Sequence, residues 1–188
     1  MTFNEKLLEK VAQAAIDSDL ADAVFTRIKT PIGRLILVQS DKGICRIAFN
    51  DEMIDEVLEE VSLALGPRVV SSKEETRVVS DALLAYLEGE PLDLDMPVDL
   101  SLVHSPFRRK VLEKLEKVPR GKVVTYGGLA RRAGNPRAAR ATGTACATNP
   151  VPLVVPCHRV VPSGGGVGSY GGGPELKEWL LKMEGAIQ

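Results

Sequence analysis

Reactive side chains lie next to one another in one short segment of the chain, residues 156–161. Cys157 is followed directly by His158 and Arg159. A thiolate is a strong nucleophile, and neighbouring basic groups favour the thiolate over the thiol. A buried cysteine is nevertheless more often an inert apolar side chain. This segment alone is therefore compatible with either an inert or a nucleophilic cysteine.

The adjacency of Cys157 and His158 limits the chemistry that they can do together. In a regular strand, consecutive side chains point to opposite faces, so a thiol–imidazole pair requires a bend or a bridging water. Cysteine hydrolases usually take their histidine from a distant part of the chain. The other histidine here is His104, which follows an acidic linker. This arrangement weakens the hypothesis of a cysteine hydrolase.

Metal and cofactor sites find little support in the remaining residues. The three cysteines and two histidines have spacings that fit no usual zinc pattern. An odd, sparse set of cysteines also argues against a disulfide framework. Gly166, Gly168 and Gly171 match the dinucleotide fingerprint, but they lie in a glycine-saturated loop that lacks the expected acidic residue downstream. We therefore predict no metal and no cofactor.

Charge is divided unevenly along the chain. Residues 1–100 hold 10 Lys+Arg and 20 Asp+Glu, a net charge of −10, whereas residues 101–188 hold 14 and 5, a net charge of +9. The basic half is the candidate for binding a polyanion, although the halves could instead attract each other. No apolar run approaches the roughly 18 residues that span a membrane, and no secretory signal is present. We expect a cytoplasmic protein with no membrane partner.

The first half has the pattern of a small domain of strands and helices. Three strands are predicted, over 23–30, 34–40 and 44–49. Their turn residues predict an antiparallel meander. Three helices are predicted, over 4–16, 51–65 and 74–88. An acidic, proline-containing linker over 89–105 then divides the chain into domains 1–100 and 101–188.

The second half is predicted to be mostly helical. Helices are predicted over 106–118, 126–133, 136–147 and 174–185, and buried strands over 153–155 and 159–161. A tight turn at Gly134 joins two of these helices, which predicts a helix-turn-helix. The helix after the turn is rich in alanine and carries Arg137 and Arg140, so it could approach a groove closely. An ordinary helical hairpin explains the same pattern.

Several motifs together resemble one protein family, the O6-alkylguanine-DNA alkyltransferases, also called methylated-DNA–protein-cysteine methyltransferases. The similarity extends from about Phe107 to Gly185, in order and with family-like spacing. Residues 23–49 resemble the N-terminal strands of the family more loosely. The matching segments are Pro-Cys-His-Arg-Val-Val at 156–161, Val-Thr-Tyr at 124–126, Gly-Asn-Pro-Arg-Ala-Ala-Arg-Ala at 134–141, Asn-Pro-Val-Pro at 149–152, Gly-Ser-Tyr at 168–170 and Lys-Glu-Trp-Leu-Leu at 177–181.

The resemblance implies both a fold and a function. The fold would be α+β, with an N-terminal ribonuclease-H-like antiparallel sheet with helices and a mostly helical C-terminal domain containing the helix-turn-helix. The function would be DNA repair by direct reversal of damage, in which a methyl or other alkyl group moves irreversibly from O6 of guanine to Cys157. The base would first be flipped out of double-stranded DNA from the minor groove. Whether O4 of thymine is also a substrate stays open, and a monomer is expected.

The resemblance also implies roles for the catalytic residues. Cys157 would accept the alkyl group as a stable thioether, so each molecule would act once. His158 would remove the thiol proton through a water molecule, and Glu184 would polarise the histidine. Asn149 would tie the helix-turn-helix to the active-site segment. Tyr126 would crowd the DNA phosphate to drive flipping, and its hydroxyl would donate to the guanine ring.

DNA contacts are implied for the start of the alanine-rich helix. Arg140 would enter the duplex and fill the space left by the flipped base. Arg137, Ala138 and Ala139 would lie against the DNA beside it. A base must leave the stack before its O6 atom can be reached, at a cost of a few kcal/mol, and an inserted side chain can offset that cost.

The base pocket is implied around the active-site segment and the glycine-rich loop. Carbonyls near Cys157 and Val160 would accept from the exocyclic amine, and Tyr170, Gly171 and Pro152 would complete the lining. Gly171 stands where many relatives have serine, so a side-chain hydrogen bond to O6 is lost there, although the backbone N–H could still donate. Zinc ligands that some family members carry in their N-terminal region are missing.

Two other functions remain as alternatives. One is a module that binds damaged DNA without repairing it, but the alkyltransferase-like proteins of this kind replace the cysteine that Cys157 provides here. The other is a cysteine hydrolase unrelated to DNA, which would turn over a peptide or ester repeatedly. Loss of the lesion from DNA, with the methyl group recovered on Cys157, distinguishes the transferase from both.

Overall fold

The computed structural model describes residues 3–49 and 52–188. The chain forms two compact units, one up to Leu84 together with Met96–Leu102, the other comprising Ala85–Asp95 and Val103–Gln188. Residues 85–95, placed in the first domain by the sequence pattern, thus pack with the second unit. Within the described residues, no helix has the length and apolar character needed to cross a membrane.

The first unit is built on a four-stranded sheet in the order β3-β2-β1-β4. Its elements are α1 (Phe3–Asp17), β1 (Ala23–Thr30), β2 (Gly33–Ser40), β3 (Gly43–Ala48), α2 (Ile54–Leu65), β4 (Val69–Ser71) and most of α3 (Arg77–Leu87), whose last three residues belong to the second unit. The antiparallel pairing of β1 with β2 and of β2 with β3 confirms the predicted meander. The short strand β4, which pairs parallel to β1, was not predicted.

The core of this unit lies along the central strand. Four consecutive residues of β2, 35–38, are buried, as expected for a strand covered on both faces. Val57 and Val61 of α2 pack into the same core. On α1, by contrast, Leu7, Leu8 and Val11 are exposed.

The predicted linker is partly fixed to the sheet of the first unit. The backbone N–H of Ile44 in β3 donates to Pro97 (2.9 Å), and the N–H of Asp99 donates back to Ile44 (2.9 Å). The buried Asp99 carboxylate accepts from the Ser40 hydroxyl at 2.7 Å. Residues 97–99 are therefore an extended segment paired with β3 rather than a free tether.

The second unit is mostly helical. Its elements are α4 (Pro106–Leu115), β5 (Val124–Thr125), α5 (Tyr126–Arg132), α6 (Ala139–Ala147), a 3-10 turn (Cys157–Arg159), β6 (Val160–Val161) and α7 (Pro174–Met183). Two predictions here were wrong in detail. The helix predicted from 136 begins at Ala139, and the strand predicted over 153–155 is a series of turns.

The α5–α6 pair has the form of a helix-turn-helix. The Thr125 hydroxyl caps α5 by accepting from the N–H of Gly128 at 3.1 Å. Gly134, with φ of +86°, turns the chain between the helices, a conformation that glycine adopts without the penalty paid by other residues. Leu129 and Ala145 are buried on the inner faces of the pair. This packing leaves the outer face of α6 free for other contacts.

Candidate active site

Cys157 lies on a tight turn rather than on a strand. The N–H of Cys157 donates to Val155 (2.8 Å), and the N–H of Arg159 donates to Pro156 (2.9 Å). The 3-10 turn between them is a bend, which is one of the two arrangements (the other being a bridging water) that the adjacency of Cys157 and His158 left open. Cys157 is 6% exposed, so the residue is sheltered without being fully enclosed.

A cavity of about 150 Å³ opens beside this cysteine. Tyr170 and Gly171 line it, as the resemblance implied, whereas Pro152 and Val160 are buried outside its wall. Cys146 of α6 also lines the cavity. The cavity is therefore bounded by α6, the active-site turn and the glycine-rich loop.

Asn149 connects the end of α6 to the active-site turn by three hydrogen bonds. Its Nδ2 donates to the Val155 carbonyl at 2.7 Å and to the sulfur of Cys157 at 3.2 Å. Its Oδ1 accepts from the N–H of Val151 at 3.1 Å. Because both backbone partners fix the amide, its donor end is aimed at the sulfur.

Burial and the neighbouring groups shift the pKa of Cys157 in opposite directions. Burial raises the pKa of the thiol, whereas the Asn149 hydrogen bond and the positive charge of Lys177 act to lower it. The net result is a raised pKa, so the resting form is the thiol. A base is then needed to generate the nucleophile.

His158 is positioned to be that base. Its ring is fully buried, and its Nε2 lies 3.1 Å from Glu184 Oε1. Burial lowers the pKa of the imidazole despite the opposing effect of Glu184. Among the described residues, Nδ1 has no hydrogen-bond partner. His158 is thus neutral at rest, with one ring nitrogen held by a carboxylate and the other available.

Glu184 is the centre of a buried polar cluster. Burial alone would raise the pKa of its carboxyl group, but hydrogen bonds from His158 and Arg159 outweigh this and hold the pKa well below its usual range. Arg159 donates to Glu184 Oε1 at 2.7 Å and to Oε2 at 3.0 Å. The Tyr86 hydroxyl donates to Oε1 at 2.6 Å. The carboxylate is therefore ionised and fully hydrogen-bonded.

A buried ammonium group lies on the other side of the turn. Lys177 of α7 donates from Nζ to the Val160 carbonyl at 2.6 Å and to the Ser169 carbonyl at 3.3 Å. The same Nζ lies 6.0 Å from the centre of the Tyr126 ring. Burial lowers the pKa of Lys177. The Val160 carbonyl, expected to accept from the guanine amine, already accepts from this lysine.

Sequence reasoning missed Tyr86 and Lys177 as members of the site, and it treated Arg159 only as a basic neighbour of Cys157 and not as a partner of Glu184. Arg159 and Lys177 stand inside the segments that resemble the family, and that position was the available signal. Nothing in the sequence indicated a role for Tyr86, because it precedes the predicted linker and fits the pattern of an apolar position in a helix. Of the predicted Cys157–His158–Glu184 arrangement, the structure shows the contact of His158 with Glu184, and it places Asn149 against the sulfur of Cys157.

A second, more open groove adjoins the cavity along the helix-turn-helix. It has a volume of about 730 Å³, and Arg140, Ala139 and Arg131 line it together with Tyr126. Tyr126 borders both spaces. Arg137 and Arg140 are exposed, while Ala138 and Ala139 are half-buried. The residues expected to contact DNA therefore lie at the first turn of α6 or just before it.

Metal ligands are not clustered in the part of the chain that the structure describes. No group of three or more His, Cys, Asp or Glu side chains there could hold a metal ion. The absence of a metal or cofactor remains a prediction.

Two family models together match most of the chain. The model of the 6-O-methylguanine DNA methyltransferase ribonuclease-like domain matches residues 23–100. The model of the DNA-binding domain of the same proteins matches residues 106–186. The human methylated-DNA–protein-cysteine methyltransferase is 38% identical over 167 residues, which cover 85% of this chain and 79% of the human protein. The chain belongs to the methylated-DNA–protein-cysteine methyltransferase family.

Other members of this family extend the comparison. The methyltransferase of Methanosarcina acetivorans is 34% identical over 158 residues, covering 84% of this chain and 96% of that protein. The crystal structure of Mycobacterium tuberculosis OGT in complex with DNA has a TM-score of 0.71 and 30% sequence identity, covering 87% of this chain and 93% of that one. These neighbours confirm the predicted α+β fold with ribonuclease-like and helical parts.

Proposed function

We propose that this chain repairs DNA by transferring an alkyl group from O6 of guanine to the sulfur of Cys157. One observation carries the proposal: Cys157 opens into a cavity beside the helix-turn-helix and receives a hydrogen bond from Asn149. The names of the relatives and the solved DNA complex support the same reaction and the same partner.

The transfer needs no co-reactant. A bond forms between the sulfur of Cys157 and the alkyl carbon, while the bond between that carbon and O6 breaks. The thiol loses one proton and the departing guanine gains one, so charge and atoms balance. A thioether is not hydrolysed at neutral pH, so the protein is consumed in a single turnover.

His158 takes the thiol proton through a water molecule. Its Nε2 is held by Glu184, so its Nδ1 carries the lone pair. The buried Nδ1 has no protein partner within the described residues, and such an atom favours a bound water. The imidazolium that forms is stabilised by the ionised Glu184, as in other carboxylate–histidine pairs.

DNA binds along the open groove of the helix-turn-helix. The small side chains Ala138 and Ala139 allow close approach to the duplex, and the exposed Arg140 enters the stack in place of the flipped guanine. Tyr126 borders both groove and cavity, so it stands where the base passes between them. Insertion of Arg140 requires a base stack with a vacated position, which double-stranded DNA provides, so we take double-stranded DNA as the substrate.

The protein acts as a monomer. All the side chains invoked in transfer come from the second compact unit of a single chain. No residue of a second copy is needed to complete the cavity.

Mass spectrometry after incubation with duplex DNA containing O6-methylguanine tests the proposal. We expect one methyl group on the peptide containing Cys157, with loss of the lesion from the DNA. Cys157→Ser should abolish transfer, and Cys45→Ala, which alters a buried cysteine in the first unit, should leave it intact. Residues 141–159 contain both Cys146 and Cys157 and lack an internal lysine or arginine, so fragmentation of the peptide must locate the methyl group. A methyl group on Cys146, or an unchanged lesion, would contradict the proposal. A matching substrate with O4-methylthymine measures the breadth of the pocket.

A further inference from the structure

Tyr86 is a buried tyrosine that touches the catalytic histidine and its carboxylate. It lies near the end of α3 and is fully buried. Its hydroxyl donates to Glu184 Oε1 at 2.6 Å and lies 3.3 Å from His158 Nε2. It stands outside residues 106–186, which the DNA-binding domain model matches.

We propose that Tyr86 is a positioning residue for alkyl transfer, setting the tautomer and the basicity of His158 through a shared hydrogen bond with Glu184. This inference rests on the proposed function, because it concerns the proton that leaves Cys157.

The hydrogen-bond directions determine the tautomer. Glu184 is ionised and can only accept, so the Tyr86 hydroxyl donates its proton to the carboxylate. The tyrosine oxygen then faces His158 Nε2 with its lone pairs. Both partners of Nε2 are therefore acceptors, which requires the proton of the neutral ring to be on Nε2. The lone pair is left on Nδ1, where the thiol proton must arrive.

The surrounding structure holds the tyrosine in this role. The guanidinium of Arg120 lies 5.5 Å from the centre of the ring and donates to the Met183 carbonyl at 3.2 Å. Burial raises the pKa of the Tyr86 hydroxyl, and the Glu184 carboxylate raises it further. The hydroxyl therefore remains a donor over the whole pH range in which the histidine titrates.

The charge balance at His158 gives the direction of the expected effect. Burial disfavours the imidazolium, Arg159 and Lys177 oppose it by charge, and Glu184 favours it. The neutral Tyr170 ring meets the imidazole edge-on, with centres 6.2 Å apart. Without the Tyr86 hydroxyl, Glu184 loses a hydrogen-bond donor that disperses its negative charge. The carboxylate then stabilises the imidazolium form of His158 more strongly. The imidazolium then persists to higher pH.

Tyr86→Phe tests this, with single-turnover rates measured from pH 5 to 9 on duplex DNA containing O6-methylguanine. We expect the acidic limb of the profile to move up by about one pH unit, which lowers the rate there about tenfold. The plateau at high pH should stay close to that of the unmodified protein. Thr76→Val is the matched control, because the Thr76 hydroxyl is also buried but donates to the Ser72 backbone.

Histidine NMR gives a second readout that does not depend on transfer. The chain contains two histidines, and the exposed His104 provides a reference signal in the same spectrum. In the unmodified protein, ¹⁵N shifts should show the Nε2–H form of His158, and its titration midpoint should rise in Tyr86→Phe.

The possible outcomes separate the role of Tyr86 from the transfer reaction itself. An unshifted profile and midpoint, or a uniform loss of rate at every pH, would overturn the role of Tyr86 while leaving the transfer reaction intact. Absence of transfer in the unmodified protein would instead contradict the proposed function. If Tyr86→Phe fails to fold, the tautomer of the unmodified protein still tests the inference, since an Nδ1–H form would refute it.

Discussion

Replacement of Asn149 by alanine should damage both stability and chemistry, for reasons that can be separated. The change leaves the Val151 N–H without its partner, and the Val155 carbonyl keeps only the hydrogen bond from the Cys157 N–H (2.8 Å). Both residues are buried. An unsatisfied buried backbone group costs roughly 1–3 kcal/mol. The hydrogen bond that the Val155 carbonyl loses contributes roughly 0.5–1.5 kcal/mol. We therefore expect the free energy of unfolding to fall by about 1.5–4.5 kcal/mol for the two groups together.

The chemical effect arises from the third hydrogen bond. Asn149 Nδ2 donates to the sulfur of Cys157 at 3.2 Å, and this bond strengthens as the sulfur becomes negative. A hydrogen bond to a charged group contributes about 1.5–3 kcal/mol. Its loss should slow transfer by about 10- to 100-fold, at about 1.4 kcal/mol per factor of ten.

Urea unfolding and single-turnover transfer, measured on the same samples, separate the two effects. Asn149→Asp is the informative companion variant, because it keeps an acceptor for Val151 and places a negative charge beside the sulfur. It should transfer more slowly than Asn149→Ala. If Asn149→Ala transfers within about twofold of the unmodified protein after correction for the folded fraction, the donor has no role in activating the thiol. Equal rates for the two variants would refute the electrostatic reasoning.

Three further predictions concern the charged residues of the site. Glu184→Gln should lower the free energy of unfolding by about 3–5 kcal/mol at pH 7, because Arg159 loses its buried partner. The folded-state pKa of Glu184 is depressed, so its contribution is present above its unfolded pKa and is lost as pH falls through the folded value. The difference between the two proteins in acid titration should shrink accordingly, and a constant difference would contradict this. Lys177→Met should raise the pKa of Cys157, and iodoacetamide should therefore label Cys157 more slowly near neutral pH. Lys177→Arg keeps the positive charge and should retain most of the labelling rate. Equal labelling rates for all three proteins would exclude an electrostatic role of Lys177. Arg140→Ala should slow repair of duplex DNA about tenfold or more, yet leave the reaction with free O6-benzylguanine unchanged, and equal losses on both substrates would show that Arg140 does not act through the duplex.

The regular elements were predictable where residue pattern and local physics agree. The meander β1–β3 was predicted because its strands are long and its turns carry glycine. The three-residue strand β4 was missed, since a segment so short contains no periodicity to detect. Its pairing depends on β1, which lies more than 40 positions earlier in the chain.

In the segment around Cys157, the secondary structure predicted from the residue pattern differs from the observed structure. Its valines predicted strands over 153–155 and 159–161, but the prolines and hydrogen bonds to Asn149 produce turns, and β6 keeps only Val160–Val161. The adjacency of Cys157 and His158 left a bend or a bridging water open, and the structure places a 3-10 turn at these residues. The family resemblance led to the predicted roles of Cys157, His158 and Glu184, whereas Tyr86 emerged only from three-dimensional packing.

The end of α7 has a consequence for transplanting this chemistry into other proteins. Glu184 is the C-cap of that helix, and the next residue, Gly185, has φ of +72°. Backbone bonds from Gly185 to Lys182 (2.9 Å) and from Ala186 to Leu181 (2.8 Å) close the helix behind it, the capping pattern that favours glycine at this position. A carboxylate at a fraying helix end would wander relative to the imidazole. Such sites require their side chains to be placed to within about half an ångström. A design that copied only the reacting side chains would lose this precision, because the position of the Glu184 carboxylate depends on the turn at Gly185, which contributes no side chain to the site.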